Sequence, residues 1–352
     1  MAISTVSTAY LNSALLPSVR QAQSQLATLE TESTTGQYAD LGLQLGGQNG
    51  YELSLRTQDD LLQTLTTNNN FSDNKLTTTQ TTLDSIRTAA QATVTNLVPL
   101  TSASTASSVM QTYGQTNLAQ LISSTNTTAG TDYIFGGENT GTPPLNDYYA
   151  TPTSPAKTAI DNAFQTFFGF GVSSPQVATI TSSQMQSFLS GPFAAQFQGS
   201  NWTSNWSNAS SVNTTATVAP GQTVQTSTNA NITGIQNLAQ GYAMLSEFGG
   251  IGLGVAAQQT LASTAVSVIN HASSSILDTQ SQLGLAQNQI TQANDYISSQ
   301  STMLQTTLGK IDDVNAAQIA TELTTLTTQL QSSYQLTAQI SKLNLAQYLP
   351  TA

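Results

Sequence analysis

Residues 269–311 read INHASSSILDTQSQLGLAQNQITQANDYISSQSTMLQTTLGKI. Within them Ile269, Ile276, Leu283, Ile290, Ile297, Leu304 and Ile311 fall at every seventh position without a gap. An apolar repeat of this period specifies one continuous α-helix whose stripe is covered by neighbours in a supercoil. The helix predicted over 255–308 is roughly 80 Å long at 1.5 Å per residue, so the molecule is expected to be elongated. Gly249, Gly250, Gly252 and Gly254 stand just before it. A phosphate-binding loop needs Lys and Ser or Thr after its last glycine, whereas Val255, Ala256 and Ala257 follow here. The glycines therefore read as a turn in which the chain approaches itself closely and starts the helix.

A helix with one apolar stripe needs partners, and the first third of the chain supplies one. Leu55, Leu62, Leu65, Leu76, Leu83, Ile86, Ala90 and Leu97 recur at helical spacing until Pro99, which ends or bends the segment. A shorter helical stretch follows around Val109, Leu118 and Ile122. Each chain end carries a further seam. Leu15, Val19, Ala22, Leu26 and Leu29 alternate in steps of four and three, with Pro17 marking a kink or a late helix start. Ile319, Leu323, Leu326, Leu330, Tyr334, Ile340 and Leu343 form the last seam. Gly36, Gly42, Gly46, Gly47 and Gly50 interrupt the pattern after the first seam as a flexible stretch. Asp312 and Asp313 stand where a new helix is expected to begin, a place that favours acids.

The character changes between about 135 and 235. Pro143, Pro144, Pro152 and Pro155 cluster there with Tyr148, Tyr149, Phe164, Phe167, Phe168, Phe170, Trp202 and Trp206. Short alternating runs over 212–218 and 223–226 predict strands. Trp202 and Trp206 read as the core of a small inserted domain rather than a sugar-stacking patch. The expected fold is mainly α: a coiled-coil helical rod built from both chain ends, with an inserted β-rich (α+β) domain. The expected segments are 1–45 (terminal helix), 46–134 (first half of the rod), 135–235 (insertion), 236–308 (second half of the rod) and 309–352 (terminal helix).

Composition narrows the function. Only 7% of the 352 residues are charged while 38% are hydrophobic. About 25% charge is usual for a soluble chain. Ser, Thr, Asn and Gln take the missing places, which is expected if much of the surface is buried against other copies, where an unpaired charge is costly. Eighteen acids against seven scattered bases give a net charge of −11. That excludes the clustered Lys and Arg a nucleic acid or anionic membrane needs. The absence of cysteine removes disulfides, thiolate metal sites and cysteine nucleophiles. No basic stretch precedes an apolar run as in a secretory signal, and no run approaches a membrane span. His271, the single histidine, lies off the apolar seam and reads as a solvated helix residue. Asp59–Asp60 and Asp312–Asp313 are adjacent on helices and point apart, which suits them poorly to acid–base work. No catalytic, cofactor-binding or metal-binding residue is expected.

Several stretches carry a family likeness. LETESTTGQYAD (29–40) is similar to the segment after the first helix of the flagellin superfamily, with Gln37 where that pattern has a base. YIFGGENT (133–140), followed by Pro144 and Leu145, resembles the phenylalanine-glycine turn of the type 3 hook-associated family, the second hook–filament junction family. SYQLTAQISKLNLAQYL (333–349) is similar to the C-terminus of that family. WTSNWSNASS (202–211) and STNAN (227–231) resemble its alphaproteobacterial branch. The likeness implies a non-enzymatic structural subunit that polymerises through its terminal helices. Segments of about 1–40 and 310–352 would pair in the inner core of a tube, largely disordered before assembly. The rod of about 50–130 and 236–308 would lie outside them, with the insertion pointing outward. Implied partners are further copies in a ring, the first hook–filament junction protein, flagellin and an export chaperone. The implied location is the extracellular flagellum, reached without a cleaved signal peptide. Two alternatives stand beside it: a flagellin of the filament itself, or an exported enzyme or glycan-binding module on a helical stalk.

Overall fold

The computed structural model describes the backbone of residues 8–101 and 107–342, and the side-chain surroundings of 15–100 and 107–339. In chain order the elements are α1 (Thr8–Thr35), α2 (Leu41–Leu45), α3 (Asn49–Leu97), α4 (Ser107–Thr125), β1 (Thr128–Ala129), β2 (Asp132–Tyr133), α5 (Pro155–Phe168), α6 (Ser182–Phe188), α7 (Gly199–Asn205), β3 (Thr215–Ala219), β4 (Gln222–Gln225), α8 (Thr233–Phe248), α9 (Val255–Asp312) and α10 (Ala316–Lys342). The chain is mainly α, with long helices toward both ends and a region between them that contains strands. It packs as two units, Met1–Gln63 with Ser298–Ala352, and Thr64–Ile297.

The 58-residue α9 is unbroken, as its repeat requires. Ile269, Ile276, Leu283, Ile290 and Ile297 are all buried, and so is Leu304. A second seam of small residues, Ala265, Ala272, Ala286 and Ala293, is buried beside them. Large and small side chains at the two seam positions let neighbouring helices interdigitate. In α3 the buried residues Leu76, Leu83, Ala90 and Leu97 keep the same period. Pro99 acts as expected: α3 stops at Leu97 and a single 3₁₀ turn follows.

Polar rungs set how α3 and α9 meet. Gln80 Nε2 donates to the Gln280 carbonyl at 2.7 Å. Gln287 Nε2 reaches Asp73 Oδ1 at 3.1 Å and Thr77 Oγ1 at 3.0 Å. Asn69 Nδ2 donates to Asn294 Oδ1 at 2.8 Å. Further along, in the other unit, Ser301 Oγ donates to Asp59 Oδ1 at 2.5 Å. On α9 these residues, 280, 287, 294 and 301, again recur every seven. Two of the rungs are neutral pairs and two end on a carboxylate, of Asp73 and Asp59; a polar partner at such a position is left unsatisfied if the pairing is lost.

In the second unit α8 is almost wholly enclosed. Its glycines Gly234 and Gly241 sit seven residues apart, opposite Ile276 and Ile269 of α9. A methyl group on either would lie 2.6 Å from the isoleucine Cγ1. On another side α8 meets α4, where a Cβ on Gly114 would come within 2.1 Å of the Ser246 backbone nitrogen. The turn after α8 is equally tight, since a Cβ on Gly249 or Gly250 would strike Gln111.

The insertion holds one hairpin and several short helices. β3 and β4 pair antiparallel around Gly221 (φ +77°), with Thr215 opposite Gln225 and a register shift between Thr217 and Ala219. The expected strand began three residues earlier, but the Thr214 amide donates to the Ser227 hydroxyl instead of a ladder partner. Asn69 Nδ2 also donates to the Val218 carbonyl, tying the hairpin to α3. α5 to α7 pack around aromatic rings. Trp206 stacks on Tyr148 (5.1 Å, 12°) and on Trp202 (5.7 Å, 13°), so both tryptophans are core residues. Asn231 Oδ1 accepts from Trp202 Nε1 and the Ser207 hydroxyl, while its Nδ2 donates to the Ala209 carbonyl. A polar side chain thereby closes an otherwise apolar cluster.

The glycines give a paired prediction. Gly114→Ala forces a methyl into backbone atoms and should cost about 3 kcal/mol or more, the upper range for overpacking. Gly284→Ala meets nothing closer than Gln80 Nε2 at 3.8 Å. It should stabilise α9 by about 0.5–1 kcal/mol. Denaturant unfolding of the two variants checks both signs.

Candidate assembly surface

The terminal helices lie in the first unit and pair antiparallel. Gln23 Nε2 donates to the Tyr334 hydroxyl at 2.8 Å. Between α1 and α10 runs an open groove of about 620 Å³, walled by Ser24, Thr28, Leu29, Thr321, Thr325 and Leu326. α1 continues through Pro17 without interruption.

The named seam residues divide clearly. Ile319 and Leu330 are buried at 6% and 5% exposure. Leu15, Val19, Leu26, Leu29, Leu323 and Leu326 are half-buried, and Tyr334 is 50% exposed. Leu29 and Leu326 both line the groove. The side chain of Ile340, and Leu343 altogether, lie outside the described residues. Among the described side chains of α1, the one that is buried is Glu32. In α8, by contrast, 12 of 16 residues are buried. Pairing two helices leaves much of each apolar stripe facing water, so the stripes are free to gain area against further chains.

The polar faces of the two helices are chemically quiet. Thr28, Thr31, Thr34 and Thr35 of α1 each donate to the carbonyl four residues back. Thr321, Thr324, Thr325, Thr327, Thr328 and Ser332 of α10 do the same. The helix start at α10 departs from expectation. Asp312 ends α9, and it is Asn315 that caps α10, its Oδ1 accepting from the Ala317 and Gln318 amides. Asp312 closes α9, where Arg56 engages it as described below, and Asp313 follows in the connecting turn.

Other groups with chemical potential are structural. Asp59 is buried and accepts from Ser301 and Gln63, while Asp60 is exposed, so the two carboxylates do not converge. His271 is exposed. Lys157 bonds Glu247 at 2.7 Å and Asp161 at 3.2 Å. Burial opposes its charge, but these acids hold its pKa above the ordinary value. Burial also pushes Tyr148 well up and Tyr242 up to about 12. Among the described residues no acidic, His or Cys group could hold a metal ion, and no helix is long and apolar enough to cross a membrane.

The phenylalanine-glycine turn is a packing device. Ile134 and Phe135 are buried. Gly137 has φ +63°, and a Cβ on it would lie 2.5 Å from the Ser210 carbonyl; one on Gly136 would lie 2.3 Å from the Asn139 carbonyl. The Ala230 amide donates to Phe135 O, and the Ser210 amide to Gly136 O. The turn thus ties 135–137 to the segments around Ser210 and Ala230 of the insertion, and only glycine fits at either position.

Comparison with known proteins agrees with this arrangement of ends. Residues 6–140 match the bacterial flagellin N-terminal helical region, and residues 266–349 match the bacterial flagellin C-terminal helical region. The chain belongs to the flagellin superfamily. It is a structural subunit of the bacterial flagellum, an extracellular assembly, and self-polymerisation with association to other flagellar components follows from the family. Among solved structures it is similar to a flagellar hook-associated protein from Vibrio parahaemolyticus. The identity is 13% and the TM-score 0.49, over 74% of this chain and 95% of that one. No curated protein matches it.

The half-covered seams generate a prediction for the flagellin-type ends. In the purified monomer, amides of 15–35 and 316–339 should exchange much faster than those of α8, because marginal helices need a covered face. Protection in α1 equal to that in α8 would contradict it.

Proposed function

We propose that this chain forms the hook–filament junction, as the second of the two junction proteins. The observation that supports this over a filament role is the Phe135-Gly136-Gly137 turn, joined by the C-terminal run 333–349, both of which resemble the type 3 hook-associated family. Copies of the chain form a ring between the first junction protein on the hook side and flagellin on the filament side, and an export chaperone holds the terminal helices before assembly. Catalysis has no part in the role. The ring matches a flexible tube to a stiffer one.

In this reading Leu15, Val19, Leu26, Leu29, Ile319, Leu323, Leu326, Leu330, Tyr334, Ile340 and Leu343 form the assembly seam. The half-exposed members are the ones that gain cover from neighbouring copies. A Leu26→Asp variant places a charge where burial must occur, at a cost of several kcal/mol. It should fail to enter flagella while the fold of 64–297 persists, measured by sheared-flagella content and by circular dichroism of the purified chain. Normal incorporation would remove the seam from the role.

Deleting the gene separates the junction from the filament. Cells should build hooks and release flagellin into the medium. Intact filaments in the deletion strain, or loss of the bulk filament protein itself, would overturn the junction assignment.

A further inference from the structure

Two linkers join the terminal helices to the long ones, and they are hydrogen-bonded to each other. α1 ends at Gly36 (φ +73°), whose amide closes on the Glu32 carbonyl. The second linker is just three residues, 313–315, between α9 and α10. Gln37 and Asp313 form an antiparallel bridge. The Tyr38 amide donates to the Asp312 carbonyl at 3.1 Å, and the Val314 amide donates to the Gly36 carbonyl at 2.9 Å. Glu32 Oε1 accepts from the Ala39 amide and holds the first linker back on α1.

One side chain fastens this strand pair to α3. Arg56 Nη2 bonds Asp312 Oδ2 at 2.5 Å, and Arg56 Nε bonds Glu52 one turn earlier on α3. Asp312 therefore serves two contacts: its carbonyl holds the first linker and its carboxylate holds α3. The carboxylate is 3% exposed, and Oδ1 has no hydrogen-bond partner.

We propose that Arg56 and Asp312 form a releasable latch, which fixes the paired linkers to α3 when closed and lets α1 and α10 swing as one body about residues 36–38 and 312–315 when open. Pairing of the linkers makes the two helices move together. The latch is poised to open because the ionised Asp312 is costly where it sits. Burial raises its pKa above the ordinary value; Arg56 pulls it down, while Glu52 and Asp313 add to the rise. Opening carries the carboxylate, with its unpartnered oxygen, into water. A hinge of this kind suits helices that must find their angle against neighbours, in the junction or in the filament alike.

Amide exchange on the full-length chain tests the latch. The Tyr38 and Val314 amides should exchange at least tenfold more slowly than free-peptide rates. Arg56→Met leaves a buried carboxylate without its partner. It should speed both amides at least tenfold and leave α8 unchanged. Adding Asp312→Asn to Arg56→Met removes the charge that drives opening and should restore protection. The latch is overturned if Tyr38 and Val314 are unprotected in the native sequence, if Arg56→Met leaves them unchanged, if the loss spreads equally to α8, or if the double variant does not recover. None of these readouts depends on which flagellar position the chain occupies, so the junction assignment and the latch fail separately.

Discussion

The pairing of α3 with α9 is the constraint on which the rest is built. These segments are some two hundred residues apart in the chain, so ordering them costs much loop entropy before any contact forms. Burial of the isoleucine and leucine stripe offsets that cost, at about 25 cal/mol per Å² of apolar area. The stripe alone does not fix register, because a helix displaced by seven residues presents the same pattern. The rungs at Gln280, Gln287, Asn294 and Ser301 share that period, but their partners on α3 differ from one rung to the next. Each finds its own partner on α3: Gln80, Asp73, Asn69 and Asp59 in turn. Asn69 singles out one register, since besides Asn294 it also holds the Val218 carbonyl and so positions the hairpin on the same pairing.

How much of this could be read beforehand depended on period and range. The repeat from Ile269 to Ile311 is local and sustained, so α9 and its apolar face were legible, as was the stop at Pro99. The alanine seam was present in the letters yet silent, because Ala carries little hydrophobic signal and becomes informative once a partner approaches closely. Gly234 and Gly241 show the same limit. Interior glycines lower helix propensity, and what recommends them is the space required by Ile276 and Ile269. In the insertion, helices such as α6 and α7 are seven residues long, below the length at which periodicity speaks. α6 did carry a local signal: Thr181 and Gln184 form a capping box. Alternation alone anticipates a ladder bond at 212–214, and side-chain capping of the Thr214 amide by Ser227 replaces it.

The candidate surface was legible as a pattern but not as a geometry. Steps of four and three mark Leu15 to Leu29 as a seam, yet they do not say how much of it one partner covers. Ile319 and Leu330 turn inward, whereas Leu26, Leu29, Leu323 and Leu326 stay half open. The latch was invisible in the letters for a different reason. Arg56 and Asp312 are separated by 256 positions, and an isolated base in a sparsely charged chain gives no hint of its partner. The expectation that Asp312 and Asp313 open a helix rested on a local dipole preference. Asp312 instead closes the preceding helix, where Arg56 engages it.

The chain's sparse charge follows from the same logic once the hydroxyls are traced. A Lys or Glu on a helix face must be desolvated when another chain covers it, and pays for the loss unless it is paired. A Thr whose hydroxyl already donates to the carbonyl four residues back has spent its proton inside its own helix, and leaves a methyl group and acceptor lone pairs outside. α1 and α10 are lined with such residues, from Thr28 to Thr35 and from Thr321 to Ser332. Their polar faces stay soluble in the free chain but lose little when covered. Apolar seams then supply attraction between flagellin-type helices, while back-bonded hydroxyls keep the cost of contact low on the faces that carry them. A helix that is to be covered by further copies gains from the second property as much as from the first, and a surface dense in charge would deny it.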